Sequence, residues 1–102
     1  MDIQLKTKNS ALKTLMYVVI VYDIGVERVN KVCKTLRRRL TWVQNSVFEG
    51  EISEADFAKI QVDLLKIINS ERDSVLCYCI NNPKGWEKRV IGQERAPTDT
   101  FL

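Results

Sequence analysis

One aspartate closes the most apolar stretch of this sequence. Met16-Tyr-Val-Val-Ile-Val-Tyr22 runs without a charge, Asp23 follows at once, and Gly25 opens the chain into a loop. A carboxylate at the tip of an apolar segment has two readings. It closes an Asx turn or caps the next helix, or it is a ligand for a hard divalent cation or an acid–base group. Tyr22 comes one residue earlier, so in a strand it points to the opposite face, as a core or interface aromatic. The second group is basic: Arg28, Lys31, Lys34, Arg37, Arg38 and Arg39, with Glu27 the only acid close by in sequence. Such a run is either a solvated helix surface or a patch for phosphates. The lack of nearby acids favours phosphates, because uncompensated like charge weakens a helix.

What is missing narrows the chemistry. The chain contains no histidine, which removes Ser-His-Asp and Cys-His nucleophile systems. It has no Walker phosphate loop and no Gly-x-Gly-x-x-Gly. Acid–base work would fall to carboxylates, lysines, tyrosines or a metal-bound water. Cys33, Cys77 and Cys79 are odd in number, and two of them lie in an apolar run, so they read as core thiols and not as a disulfide framework. Zinc would need more ligands than they provide. Phe48 reads as sheet core, Trp42 is the second large aromatic of its segment, and Trp86, beside Lys84, Lys88 and Arg89, is placed to stack a base or to meet a second chain.

The elements that must position these residues follow from periodicity. Residues 16–22 suit a central strand. Val29, Val32, Cys33, Leu36 and Leu40 form a helical stripe over roughly 27–40, with Glu27 near its positive end and Arg37, Arg38 and Arg39 near its negative end. Residues 41–52 read as extended, with Gln44-Asn45-Ser46 breaking them into a short hairpin or a bulge. Ser53 caps a second helix running to about Asn69, with Asp56 reaching back as in a capping box. Residues 74–80 are a strand, Asn81-Asn82-Pro83 and Gly85 a turn, and residues 88–92 a short last strand. Residues 1–15 read as a flexible extension and 93–102 as a tail. The order β-α-β-(β)-α-β, with a short strand added, is an α+β, ferredoxin-like βαββαβ sandwich with both helices on one face of the sheet.

With 102 residues and 45% hydrophobic content, one domain is expected, over residues 16–92. No apolar run approaches the roughly 20 residues that span a bilayer, and no signal peptide is evident. The expected location is the cytoplasm, with no membrane partner. The net charge of +3 hides an asymmetry: residues 1–50 carry nine Lys/Arg against four Asp/Glu, while residues 51–102 carry seven against nine. The positive field is therefore local.

Three strings in order resemble one family. Met16-Tyr-Val-Val-Ile-Val-Tyr-Asp23, Val43-Gln-Asn-Ser-Val-Phe-Glu-Gly50 and Asp73-Ser74-Val75 are similar to the segments that end the first strand, follow the first helix and open the fourth strand in the second CRISPR-associated protein family. The resemblance implies a homodimer whose last strand, here residues 88–92, is exchanged onto the partner's sheet. It implies that the two Asp23 carboxylates face one another across a cleft, with Tyr22, Ser46 and Phe48 near it. It further implies a CRISPR adaptation role, in which the dimer sits between integrase dimers and holds duplex prespacer DNA, and an endonuclease activity on RNA or duplex DNA dependent on Mg2+ or Mn2+. Asp23 would be the metal ligand and catalytic acid. Two other classes stay open: a non-enzymatic ferredoxin-like interaction module, and a toxin-like messenger RNA interferase.

Overall fold

The structure is a computed structural model of the chain and describes residues 15–81 and 85–94. Most of the expected extension and tail, and the Asn82-Pro83 part of the expected turn, lie outside those residues. Five strands and two helices are described: β1 (Leu15–Asp23), α1 (Val29–Arg37), β2 (Thr41–Gln44), β3 (Val47–Ser53), α2 (Glu54–Ile67), β4 (Ser74–Ile80) and β5 (Trp86–Gly92). The sheet order is β2-β3-β1-β4-β5 and every neighbouring pair is antiparallel. β1 lies at the centre, which suits its unbroken run of β-branched residues.

Alternation along β1 sorts its side chains between two environments. Met16, Val18, Ile20 and Tyr22 are buried under the helices, with Val75, Cys77 and Cys79 of β4 and Phe48 and Ile52 of β3. Val32 and Leu36 of α1 and Phe57, Ile60 and Leu64 of α2 close this layer. Each such aliphatic or aromatic side chain stabilises the fold by about 1.5–3 kcal/mol. Burial pushes the Cys77 thiol up to about 12. It stays a protonated, inert core group, as the cysteine reading expects.

The expected hairpin forms between β2 and β3. Asn45 takes a left-handed conformation, with φ of 43°, which asparagine tolerates better than most residues. The register shifts between Trp42 and Gln44, so a bulge accompanies the turn. Ser53 caps α2 by accepting from the Asp56 N–H at 3.1 Å. Asp56 does not complete the expected box. Its carboxylate lies 3.7 Å from Arg39 and 3.9 Å from Lys59, one turn further along the same helix, and these cations compete with the cap. Helix α1 starts two residues later than its stripe implied. Residues 26–28 form a turn, and the N–H groups of Arg28 and Val29 both donate to Gly25 O. Residues 88–92 are strand, as expected, and belong to the longer β5. In this single chain β5 pairs with β4 of its own molecule from Ser74–Gly92 to Ile80–Trp86, the place where the exchanged strand was expected on a partner.

Candidate active site and nucleic-acid interface

Asp23 stands at the end of β1 on the side away from the helices. The same alternation puts Leu15, Tyr17, Val19 and Val21 on that side, where cross-strand neighbours extend the surface. Val19 pairs with Glu49 and Tyr78, Val21 with Val47 and Leu76, and Tyr17 with Glu51 and Ile80. Ile80 in turn pairs with Trp86, and Leu76 with Val90. No described element covers this face. Trp86 is 68%, Leu15 55%, Ile80 42% and Tyr17 37% exposed, an unusual density of large apolar groups for one surface. Tyr78 and Trp86 lie with ring centroids 6.1 Å apart. Partial burial, helped by a hydrogen bond to Glu49, raises the Tyr17 phenol above its ordinary value. Asp23 is thus an exposed acid at one end of an open apolar face, and it does not occupy the cap position of α1, which is Arg28.

The turn that follows Asp23 is held from below by a second aspartate. Asp73, 1% exposed, precedes β4 and accepts four hydrogen bonds. Gly25 N donates at 2.9 Å, Arg28 Nε at 2.6 Å, Arg28 Nη2 at 2.9 Å and Asn69 N at 2.8 Å. The Arg28 bonds, aided by the Asn69 and Gly25 amides and opposed by burial, hold its carboxyl well below the usual carboxylate range. Reciprocally, Asp73 raises the Arg28 guanidinium. Arg28, one of the six candidate phosphate contacts, is therefore bound within the fold and has Glu27 at 3.5 Å as a second partner. In the sequence Asp73 stood out only as part of its string. No local feature of the sequence points to its pairing with Arg28, 45 positions away.

Tyr22 and Phe48, expected near the cleft, lie on the helix-covered side, with ring centroids 6.0 Å apart. The Tyr22 hydroxyl is 3.2 Å from Cys33 Sγ and donates to Asn45 O at 3.5 Å. Burial, with the Cys33 contact, pushes its phenol up to about 12, which makes it a poor base near neutrality. Ser46 meets the end of β1 through its backbone: its carbonyl accepts from Tyr22 N at 3.0 Å, which brings the β2–β3 turn alongside the end of β1.

The other basic residues remain at the surface. Lys31, Lys34, Arg37, Arg38 and Arg39 are all exposed. Arg38 and Arg39 reach towards α2, at 3.9 Å from Asp63 and 3.7 Å from Asp56, so the compensation missing from the local sequence is partly tertiary. Exposed pairs of this length contribute well under about 1 kcal/mol, and a polyanion can displace them. Between the two helices Arg38, Arg39 and Lys59 border an open groove of about 490 Å3, lined also by Ala58, Val62 and Asp63. Among the described residues no three Asp, Glu, Cys or His side chains are grouped to hold a metal ion. An oxygen donor such as Asp23 suits Mg2+, which takes one or two carboxylates along with waters and phosphate; the remaining donors would have to come from outside one chain.

An antiparallel ferredoxin-like sheet with helices on one side and an acid on its bare side defines the class. The chain belongs to the CRISPR associated protein Cas2 family, whose model matches residues 16–88. It is 49% identical to a CRISPR-associated endoribonuclease Cas2 of Methanothermobacter thermautotrophicus, over 85% of this chain and 96% of that protein. It is 48% identical to one of Pyrococcus furiosus, over 85% of this chain and all of that protein. A solved crystal structure of cas2 superposes with a TM-score of 0.64 at 44% identity, covering 81% of this chain and 93% of that one. No helix among the described residues is long and apolar enough to cross a membrane.

Proposed function

We propose that two copies of this chain join through their open sheet faces into a nucleic-acid-binding dimer of CRISPR adaptation, and that their Asp23 residues form a metal-dependent phosphodiesterase site. The observation that carries this reading is the position of Asp23 on the same bare face as Leu15, Tyr17, Val19, Ile80 and Trp86. Burial of that face gives association its driving force, at about 25 cal/mol per Å2 of apolar surface. A two-fold axis across it gathers two carboxylates into one cleft. Asp23 of each copy would hold magnesium or manganese there, and the ion would supply an activated water and neutralise charge on the scissile phosphate. RNA is the substrate class that the relatives' names carry, and duplex DNA is the second. In adaptation the dimer stands between integrase dimers, with prespacer DNA along the exposed Lys31, Lys34 and Arg37–Arg39.

Sedimentation, salt-dependent binding and cleavage test this together. The wild type sediments as a dimer, and its affinity for DNA or RNA falls steeply with salt. Asp23→Asn lowers Mg2+-dependent cleavage by at least about a hundredfold and leaves binding within twofold. A stable monomer overturns the proposal. Equal cleavage by the variant removes Asp23 from the chemistry. A scaffold without catalysis is the second reading; a wild type that binds and does not cleave selects it.

A further inference from the structure

Four hydrogen bonds converge on the Asp73 carboxylate, and three of them come from the turn that follows Asp23. The fourth comes from Asn69, just past α2. The backbone of the same residue anchors the far strand: Asp73 O accepts from Gln93 N at 2.8 Å. At Gly92, whose φ is +85°, a Cβ would stand 2.5 Å from that oxygen, so the close approach requires glycine. Asp73 therefore ties the turn after β1 to the end of α2, the start of β4 and the end of β5. Among the described residues, the turn's other backbone bonds in this region, from Arg28 and Val29 to Gly25 O, close the turn on itself.

We infer that Asp73 and Arg28 are positioning residues for Asp23: their bidentate ion pair and the Gly25 bond fix the turn and hence the direction in which Asp23 presents its carboxylate. This rests on the proposed role of Asp23. Asp23 is also paired with Ser74 in the β1–β4 ladder, so the turn sets the final direction of the carboxylate, and a misplacement of about an ångström costs up to about a hundredfold in rate. Neither residue needs to touch the substrate for this. Asp73 takes the Nε–Nη2 edge of the Arg28 guanidinium and Glu27 stands 3.5 Å from Nη1, so the role inferred for Arg28 runs through the turn.

Asp73→Asn and Arg28→Lys test the inference, the lysine variant keeping a cation against Asp73 so that the fold survives. Amide exchange, Mn2+-induced line broadening at Ile24 and Gly25, nucleic-acid binding and single-turnover cleavage are measured on each full-length dimer. The expected result is a loss of protection at Gly25 and Arg28 of about tenfold, with Val18 and Ile20 unchanged. Cleavage falls about tenfold, more Mg2+ is needed for half-maximal rate, and affinity stays within twofold, with Arg28→Lys intermediate. Unchanged cleavage per folded molecule despite a loosened turn overturns the inference. So does an affinity loss in Arg28→Lys that Asp73→Asn does not share, since it would make Arg28 a phosphate ligand. If the wild type cleaves nothing with either metal, the functional reading fails by itself. The Mn2+ broadening then decides the inference: weakened in both variants, it supports positioning, and unchanged, it overturns it.

Discussion

Asp23 ends β1 and Asp73 directly precedes the neighbouring β4, with Asp23 facing Ser74 in the β1–β4 ladder, yet they live in opposite environments. Asp73 is buried and accepts four hydrogen bonds, two of them from one guanidinium. Asp23 is exposed on the uncovered face. A buried carboxylate survives only if its charge is paired and its lone pairs are filled. Such a group has nothing left for a substrate. An acid at the rim of an open face borders solvent and the surface that a second chain would meet. Burial separates a holding role from a reacting one where residue type does not.

The strongest way to break this contrast is by stability. Asp73→Ala leaves the Arg28 guanidinium without its main partner and should cost about 3–5 kcal/mol in denaturant unfolding. Asp23→Ala should cost less than about 1 kcal/mol in the same assay. Equal losses would erase the distinction. The two sides of the sheet are compared next. Val19→Lys places a charge at the centre of the open face and should turn a sedimenting dimer into a monomer with its thermal transition nearly intact. A dimer that persists would place the interface elsewhere.

A smaller effect distinguishes the bound arginine from the exposed ones. Reversing Arg37, Arg38 and Arg39 to glutamate should flatten the dependence of log affinity on log salt by about one unit for each phosphate the cluster no longer holds. An unchanged slope would leave that cluster as ordinary solvated surface. The subtlest test is acid titration. Because Asp73 titrates far below its unfolded value, its contribution to stability is full above about pH 4 and declines as pH falls further, when the unfolded chain takes up the proton first. The stability gap between wild type and Asp73→Asn should therefore narrow below about pH 4. A gap that widens there would contradict the low folded-state value.

Much of the architecture is legible in the residues alone. The run at residues 16–22 reads as a central strand because no amphipathic helix can bury seven consecutive apolar side chains on one stripe. Residues 74–80 read as a strand by the same logic, and Ser53 caps its helix because its hydroxyl is where the free amides are. Asp23 stood out because packing gives no reason for a charge directly after such a run. The alternation rule also separated Asp23 from Tyr22 correctly.

Other features depend on groups distant in sequence. Arg28 and Asp73 lie 45 positions apart, and nothing local in the sequence signals that the two side chains meet, so Arg28 reads as one more cation in a basic run. The delayed start of α1 has the same origin, as do the acids of α2 that partly compensate Arg38 and Arg39. Local periodicity and composition determined which segments are strands and helices and which acid ends β1, because those depend on neighbours within a few residues. Only the tertiary structure decided which aspartate is held and which is presented, and that the described elements leave one apolar face uncovered, because burial and long-range pairing exist only once the strands have been brought side by side.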